Sequence, residues 1–358
     1  MEFTLSEDQL ALRDSVREVL SDRFPLQRVA AMADGDGFDP ASWKEIAGLG
    51  WPAVSVAEDA GGLGMGFVEE AVVLEELGRG LFPGPFLSSV TMALPVLSGS
   101  PQFADRVLSG GSAATVALGP ADGEPDVVAE RHADAWRLSG AASFVPDLEA
   151  ADLVVVAAEA PDEPGLYVVE RDGDGAMWES LPTVDGTRRQ GRIEFENVPA
   201  TQLVTGEDAG PAMDSIQRRA LAGIAAESVG VAQRALDLGV QHAGDREQFG
   251  RKIGVYQAVS HRLADVFVEV EGSRSLVLWA AWAVENGSDD MDVAVAGAKA
   301  SATEAAVRAC EVSIQVHGGI GFTWEHPLHR LYKRALGNAA FLGWPSEHRA
   351  RIASALLD

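Results

Sequence analysis

The chain has little cysteine, few basic residues and no long apolar runs. Its 358 residues include one cysteine, Cys310, so no disulfide can form within the chain and a cytoplasmic location is expected. The 28 lysines and arginines face 54 aspartates and glutamates, and the net charge of −26 argues against nucleic acid and anionic membranes as partners. No apolar run reaches the roughly 18–20 residues of a membrane span. The start, MEFTLSEDQL, lacks the basic and apolar regions of a secretory signal.

What is present is an ordinary globular composition, with 47% hydrophobic and 23% charged residues. A length of 358 residues favours two or three domains over one core. The texture of the sequence changes twice, which predicts a helical domain over 1–112, a β domain over 113–207 and a helical domain over 208–358. The predicted fold class is α+β and multidomain, with a β-barrel or sandwich in the middle and a C-terminal four-helix bundle.

The N-terminal region contains clear helix-start signals. Ser6 and Gln9 form the pattern of a capping box. Asp39 followed by Pro40 starts a second helix, and a third follows the glycine-rich loop AEDAGGLGMG (57–66). That loop lacks the preceding strand and the Lys-Ser/Thr of a phosphate-binding P-loop, so we interpret it as a structural turn.

The middle region has short β-rich runs separated by Gly, Pro and Asp clusters, at the spacing of a small barrel or sandwich. No long helical pattern lies between them, which argues against alternating βαβ units. The predicted strands are Ala114–Leu118, Asp126–Glu130, Ala135–Leu138, Leu153–Ala158, Gly165–Glu170 and Arg192–Phe195.

The C-terminal region is predicted to form long helices, over about 211–242 and 290–316, with another between them that has a coiled-coil-like seam. The seam contains Val259, Leu263, Val266, Val270, Ser273 and Val277. The apolar stripe of the last helix contains Val293, Ala300, Val307, Cys310 and Ile314. Cys310 is therefore interpreted as a buried structural thiol rather than a nucleophile, since nothing nearby would lower its pKa.

The stretch QVHGGIGFTWEHPLHRLYKRA (315–335) first invites a metal-site interpretation. The metal-binding residue types in it are His317, Glu325, His326 and His329. A zincin helix places two histidines four apart with a glutamate between them, whereas here the last two are three apart around Pro327. Proline belongs in the first turn of a helix, so a helix is expected to start near 326–327, and a metal site is disfavoured.

Two features favour a nucleotide ligand. Gly318 and Gly319 either only end the preceding helix, as αL-type caps, or also open its backbone to a ligand. In the stretch 245–254, DREQFGRKIG, Arg246 offers a guanidinium fork suited to a pyrophosphate, and Phe249 offers a face for a ring. A plain turn between helices with a solvated basic patch is the alternative.

The order of helices, strands and helices, together with Arg-x-Gln-Phe-Gly (246–250) and Gln-x-x-Gly-Gly-x-Gly-Phe (315–322), resembles the acyl-CoA dehydrogenase family over essentially the whole chain. The segment EDAGGLGMG…EEAVVLEELGRGLFPGPFL (58–87) is also similar to that family. The resemblance implies a flavoprotein that binds FAD in an extended form. It also implies α,β-dehydrogenation of an acyl-CoA thioester, in which a glutamate removes the Cα proton and the flavin accepts a hydride.

The resemblance further implies where FAD is contacted. By position, Arg246 would meet the pyrophosphate with Phe249 nearby, and Gln257 would help hold the nucleotide end. The segment Gln315–Gly319, with His317, Gly318 and Gly319, would approach from a second subunit, so a dimer of dimers with FAD at the interface is expected. Phe144 stands in a stretch that replaces the family's Trp-Ile-Thr and would supply an apolar ring to the flavin.

The sequence departs from the family in two respects. The loop ALGPADGEPD (117–126) lacks the Thr-Glu-Pro…Gly-Ser pattern that touches the flavin. At the two known places of the catalytic glutamate the chain has Leu342 and Ala220, and neither side chain accepts a proton. Glu227 lies roughly 10 Å further along the same helix. Glu347 is more simply a solvated charge, so neither glutamate is expected to replace the missing base.

Two functions remain open at this point. The first is a partner subunit that completes the FAD site of a hetero-oligomer, like the short, base-lacking chains of the α2β2 family members in actinobacterial sterol side-chain degradation. The second is an active homo-oligomeric acyl-CoA dehydrogenase with a non-standard base, or a related flavin-dependent oxygenase. The expected substrate is an acyl-CoA thioester from fatty acid or sterol side-chain catabolism, with no nucleic acid, membrane or metal involved.

Overall fold

The computed structural model describes residues 3–35, 37–119, 126–133, 135–161 and 164–357. Most of the loop 117–126, where the family's flavin-contact pattern is missing, lies outside the described residues. The helices are α1 (Glu7–Arg23), α2 (Leu26–Asp34), α3 (Pro40–Gly48), α4 (Phe67–Gly80), α5 (Leu94–Leu97), α6 (Pro101–Leu108), α7 (Ala209–Asp245), α8 (Gln257–Glu285), α9 (Met291–His317), α10 (Leu328–Ala340) and α11 (Pro345–Leu357). The strands are β1 (Ala114–Ala117), β2 (Val127–His132), β3 (Ala135–Pro146), β4 (Leu153–Ala158), β5 (Gly165–Glu170), β6 (Ala176–Leu181), β7 (Gln190–Thr205), β8 (Glu247–Gln248) and β9 (Arg251–Lys252).

The fold is α+β, with helices before and after a central sheet, as predicted. The chain forms two compact units. The bundle unit contains Met1–Ala31, Phe67–Phe82 and Leu221–Asp358, and the sheet unit contains Met32–Gly66 and Pro83–Ala220. No helix in the described ranges has an apolar stretch long enough to cross a membrane. The division into three domains along the sequence stays a prediction, because these units group residues by contact.

The predicted helix starts near the N-terminus are confirmed. Ser6 caps α1: its hydroxyl accepts the Gln9 N–H at 3.2 Å, and the Gln9 side chain accepts the Ser6 N–H at 2.9 Å. Asp39 caps α3, whose first residue is Pro40. Helix α10 begins at Leu328, one residue later than expected, with the preceding proline as its cap. Each start therefore follows from a short polar or proline signal in the sequence.

The sheet unit contains a seven-stranded sheet in the order β1-β4-β5-β7-β3-β2, with β6 also paired to β7. Among the described strand pairs, β1 and β4 run parallel and the others antiparallel, and an isolated parallel bridge also joins Val128 to Glu159. Strand β7 pairs with β6 up to Phe195, with β3 up to Ala200 and with β5 from Thr201 onward, so one long strand connects the two parts of the sheet. Strand β4 is buried along its whole length, which explains its uninterrupted apolar sequence LVVVAA.

The strand predictions are accurate where the sequence is strongly apolar. The strands Leu153–Ala158 and Gly165–Glu170 are confirmed at both ends. The runs predicted to start at Ala135 and Arg192 are much longer, because bulges and exposed polar residues continue β3 and β7 beyond the apolar segments. Strand β6 was missed, since its sequence AMWESL has few β-branched residues and is only half-buried.

The bundle unit buries the predicted seam of α8 except for Val259, which is half-buried. Its buried seam residues are Leu263, Val266, Val270, Ser273 and Val277. Ser273 is satisfied in this setting by the Ser301 hydroxyl, 2.9 Å away on α9. In α9 the predicted stripe is only partly right: Ala300 and Cys310 are buried, while Val293, Val307 and Ile314 are half-buried. Most of the buried residues of α9 are alanines. This helix therefore packs against its neighbours over a wider surface than a coiled-coil seam provides.

Helices α4 and α7 approach each other closely within the bundle unit, at two glycines. A Cβ atom added to Gly78 would collide with the Glu227 carbonyl, and one added to Gly230 would collide with the Glu75 carbonyl. The close crossing places Glu227, which follows the first buried turns of α7 in this unit, away from solvent with 2% exposure. This packing matters for the site, because Glu227 is the first acidic residue that follows Ala220 in the sequence.

Candidate functional site

The hairpin between α7 and α8 carries Arg246 and Phe249. Strands β8 and β9 pair antiparallel and leave a two-residue turn, Phe249-Gly250. Both turn residues have positive φ, 54° and 77°, as a type I′ hairpin turn requires. Phenylalanine rarely adopts this conformation, so the turn is held at an energetic cost that points to a role for its side chain.

The side chains of this hairpin are open to a ligand. Phe249 is 93% exposed, and its ring meets the Tyr256 ring edge-on at 6.5 Å. Arg246 is also exposed, and no oxygen within the described ranges accepts a hydrogen bond from its guanidinium. Gln257 is exposed at the first position of α8. An open guanidinium, an open ring and a helix start are the groups that pyrophosphate and nucleotide binding use.

Helix α9 ends at the glycine pair. The Gly318 N–H bonds to the Gln315 and Ile314 carbonyls, and the pair φ 64°, ψ −140° of Gly318 belongs to a region that side chains rarely enter. The predicted helix-ending role is confirmed, although the ψ of Gly318 is not the αL value that was expected. A Cβ atom on Gly318 or Gly319 would meet nothing within 4 Å, so the space in front of this backbone is open.

Stacked histidines join the hairpin to the glycine segment. The rings of His242, on α7, and His317, on α9, are stacked with their centres 4.2 Å apart. The His326 ring is tilted against the His317 ring, and the centres of these two rings are 4.4 Å apart. The Arg246 N–H bonds to the His242 carbonyl at 2.8 Å. The structure therefore brings together the two segments that the sequence singled out, Arg246 with its hairpin and Gln315–Gly319.

These rings stack instead of converging on a point. Within the described part of the chain, no group of three or more His, Cys, Asp or Glu residues has an arrangement that holds a metal ion. The Nδ1 atom of His317 lies 2.7 Å from the Ser313 carbonyl, and the Nδ1 atom of His326 accepts the Leu328 N–H at 3.3 Å. Burial, followed by the charge of His317, lowers the pKa of His326 to about 4. The His326 ring is therefore uncharged at neutral pH where it packs against the His317 ring.

Phe144 lies in the sheet unit, at an irregularity of β3. The register of β3 with β7 shifts between Ala142 and Val145, and Phe144 in this bulge is 69% exposed with φ 59°. Bulges of this kind redirect a side chain out of the sheet. The non-glycine residues with positive φ in the described ranges are Leu81, Ala133, Phe144, Asp147, Asn197, Phe249 and Leu342. Three of them are residues that the sequence marked for the site.

The turn after α10 contains Leu342, where the resemblance places a catalytic glutamate. Leu342 and Gly343 have φ 55° and 102°. The Lys299 ammonium donates to the carbonyls of Ala339 at 3.3 Å and Gly343 at 3.1 Å. The Nε2 atom of His348 donates to the Leu342 carbonyl at 3.1 Å. Two buried side chains thus satisfy carbonyls that the end of a helix leaves without partners.

Neither Lys299 nor His348 reaches the surface, since both are 0% exposed. Burial lowers the pKa of Lys299 to about 7, with Glu347 acting in the opposite direction. Burial and the charge of Lys299 lower the pKa of His348 to about 4. Their role is to hold the turn. Neither residue is recognisable from the sequence, because a lone lysine in an alanine-rich helix and a histidine among charged residues are usually solvated.

Replacing His348 with glutamine is expected to flatten the acid limb of the stability profile. The folded-state pKa of about 4 lies below the ordinary 6.5, so the contribution of neutral His348 is present above pH 6.5 and lost as the pH falls towards 4. Glutamine keeps an N–H donor for the Leu342 carbonyl but does not titrate. Urea unfolding at pH 7 and pH 4.5 should show a smaller loss in the variant, by up to about 3 kcal/mol.

The exposed His261, on α8, gives a matched control for this measurement. H261Q should lose stability with falling pH as the parent does. An H348Q profile that falls as steeply as the parent between pH 6.5 and 4 would show that His348 is not the group that titrates with unfolding.

The other acidic candidates for a base are engaged elsewhere. The Glu227 carboxylate forms an ion pair with Arg334, and both are at most 2% exposed. Glu347 is exposed, as expected, and its carboxylate also accepts the Trp344 N–H at 2.5 Å and so caps α11. Ala220 is fully buried. The Glu227 carboxylate is therefore held in a buried ion pair, and one oxygen of Glu347 is used in capping α11.

Sequence profiles of known families match both ends of the chain. The profile described as "Acyl-CoA dehydrogenase, N-terminal domain" matches residues 6–110, and the one described as "Acyl-CoA dehydrogenase, C-terminal domain" matches residues 213–357. The acyl-CoA dehydrogenase IpdE2 of Mycolicibacterium smegmatis is 31% identical over 357 residues, which cover 97% of this chain and 98% of the relative.

Two solved structures are also similar over nearly the full length. A variant of the Tcur3481-Tcur3483 steroid ACAD has 32% identity and a TM-score of 0.88, with 99% of this chain and 98% of the other covered. The ChsE4-ChsE5 complex from Mycobacterium tuberculosis has 29% identity and a TM-score of 0.91, with 100% and 99% covered. The similarity therefore extends through the helices and the sheet alike.

Proposed function

Because this chain belongs to the acyl-CoA dehydrogenase family, we propose that it takes part in FAD-dependent α,β-dehydrogenation of an acyl-CoA thioester as the subunit that completes an FAD site in a hetero-oligomer. One observation carries the proposal. The nucleotide-binding segments are open to a ligand, while both expected places of the base hold side chains that accept no proton, Leu342 and Ala220.

The residues of the bundle unit fit the nucleotide part of FAD. Arg246 presents a guanidinium that no oxygen of the described residues pairs with, which suits a pyrophosphate oxygen. Phe249 presents a ring, and the backbone at Gly318 and Gly319 is bare, so a ligand can approach it closely. His317 and Gln315 flank that backbone. When bound, FAD supplies the two-electron acceptor of the reaction.

Phe144 is the proposed contact from the sheet unit to the flavin ring. Its bulge turns an apolar side chain out to 69% exposure, which is unfavourable in water and becomes favourable against a flat aromatic ligand. Gln257, at the start of α8, is the proposed partner of the nucleotide end. These roles follow from position in the family, and the exposure of each side chain supports them.

The chain offers no free carboxylate at either place of the base. Leu342 sits in a turn fixed by Lys299 and His348, so a shift that brings another residue into this place would break buried hydrogen bonds. Glu227 is held by Arg334. Proton removal from Cα needs a carboxylate within hydrogen-bond reach of the substrate, and a second, different subunit is the proposed source.

A two-chain assembly also agrees with the patch formed by Arg246 and the segment Gln315–Gly319. These lie together on one chain through the His242–His317 stack, and we propose that a twofold interface at this patch brings the hairpin of one subunit opposite the glycine segment of the other. Both similar solved structures are named for two different chains, and one is named a steroid ACAD. We propose a dimer of dimers acting on the acyl-CoA of a fatty acid or sterol side chain.

The test is flavin content with and without a partner. We expect the chain expressed alone to retain little FAD, and co-expression with a homologue from a neighbouring gene to give a complex with bound flavin, measured by visible absorption after gel filtration. One FAD per chain in the protein purified alone would support the homo-oligomeric alternative and overturn the partner proposal.

A further inference from the structure

The bundle unit contains a cleft that the proposed FAD site does not use. It lies between the corner joining α1 to α2, the end of α4 and the middle of α7, and its volume is about 490 Å³. We call it the α1–α7 cleft. Its apolar wall contains Leu20, Phe24 and Leu26, and its polar wall contains Arg17, Arg79 and Arg234. A volume of this size is in the range of small-molecule sites.

Two of the three arginines in the cleft are neutralised by the protein. Arg17 makes a two-point contact with the Glu76 carboxylate, at 2.9 and 2.6 Å. Arg79 pairs with one oxygen of Asp237 at 2.6 Å. The other oxygen of Asp237 accepts from the Gln233 amide at 2.9 Å. Both oxygens of the Glu76 carboxylate and both oxygens of the Asp237 carboxylate therefore already accept hydrogen bonds from the protein.

Arg234 is the guanidinium that remains. Among the described residues no oxygen accepts a hydrogen bond from it, although it is only half-exposed. Burial, and next the charge of Arg79, lower the pKa of Arg234, which Asp237 only partly opposes. A positive charge in this setting is less stable than in water, and an anion beside it would remove that penalty.

We propose that the α1–α7 cleft binds an amphiphilic monocarboxylate, whose carboxylate pairs with Arg234 and whose apolar body lies on Leu20, Phe24 and Leu26. The charge count selects the class of ligand. Among the described residues, Arg234 is the cleft guanidinium that no carboxylate pairs with directly, which suits one carboxylate rather than a polyanion. The apolar wall selects a ligand with a hydrocarbon body, and the planar fork of arginine matches a carboxylate at two points.

The test is calorimetric titration of the purified full-length protein, with its flavin and any partner in place, with octanoate, 1-octanol and acetate. We expect saturable binding of octanoate and much weaker binding of the other two, because each lacks one half of the recognition. R234Q should weaken octanoate binding at least about tenfold, the loss expected for a charge-assisted contact. R234K should retain more of it.

Two further variants separate this site from others that take an acyl chain. L26W fills the cleft from its apolar wall without changing the charge and should also weaken octanoate binding. R351Q removes an exposed arginine of α11, outside the cleft, and should leave binding unchanged. Equal octanoate affinity in the parent, R234Q and L26W, or the absence of saturable binding in the parent, would overturn the proposal. The flavin spectrum should be the same in the parent and all four variants.

Discussion

The R246A variant is expected to bind FAD about a hundredfold more weakly than the parent, which is the loss of two charge-assisted hydrogen bonds. The guanidinium is exposed and has no oxygen partner within the described residues, so its removal breaks no internal contact. The loss should therefore appear in FAD affinity and leave the melting temperature of the flavin-free protein unchanged. Fluorescence titration of the flavin-free complex with FAD measures the affinity directly.

Arg251 provides the matched control, because it lies in the same hairpin and is also exposed. Its guanidinium packs over the Tyr256 ring at 4.6 Å. R251A should lower FAD affinity far less than R246A does. Equal effects of the two variants would mean that the hairpin contributes general positive charge. Unchanged FAD affinity in R246A would contradict the assignment of the hairpin to the cofactor.

The E227Q variant is expected to lose about 3–5 kcal/mol of stability, because it leaves the buried Arg334 without its counter-charge. Both side chains are almost completely buried, and the adjacent residues Ser228 and Asn338 form a further buried hydrogen bond of 3.2 Å between the same helices. Urea unfolding measures the loss. R334M should cost a similar amount, and the double variant E227L/R334L should cost less than the sum of the two single changes.

The exposed pair Arg349–Glu304 is the control for this experiment, since it joins α11 to α9 near the surface. E304Q should change stability by less than about 1 kcal/mol, as exposed ion pairs usually do. If E227Q were as mild as E304Q and instead abolished turnover in a reconstituted complex, Glu227 would be a catalytic group and the structural interpretation would be wrong.

The parts of the fold that are predictable from the sequence are those that depend on short local patterns. The capping box at Ser6, the proline after Asp39 and the continuous apolar strand Leu153–Ala158 each depend on neighbouring residues only, and each is confirmed. Strand β6 and the full length of β7 depend on pairing partners, which a local pattern does not contain. Helix α2 was not predicted for a related reason, because it starts after Pro25 and no polar capping residue precedes it in the sequence.

In the candidate site, too, some features are predictable from the sequence and others are not. The residue types and spacing of Arg246, Phe249 and the glycine pair are visible in the sequence, and the structure adds that they are open and lie together. The positive φ of Phe144, Phe249 and Leu342 is not predictable from residue type, because glycine or asparagine would be expected there.

The groups that fix the turn at Leu342 come from distant parts of the chain. Lys299 lies on α9 and His348 on α11, so their convergence on three carbonyls depends on how these helices pack. The fate of Glu227 is similar, since its partner Arg334 is 107 residues away. The sequence placed Glu227 too far from Ala220 to act as a base, and the structure adds that its charge is already used.

Anaerobic titration with an acyl-CoA thioester, followed at the visible absorption of the flavin, tests the central claim most directly. The chain alone, reconstituted with excess FAD, should show no bleaching, because no free carboxylate lies at Leu342 or Ala220 to remove the Cα proton. The co-expressed complex should bleach with the same thioester. Stoichiometric bleaching of the chain alone would contradict the account and show that it carries a complete catalytic site.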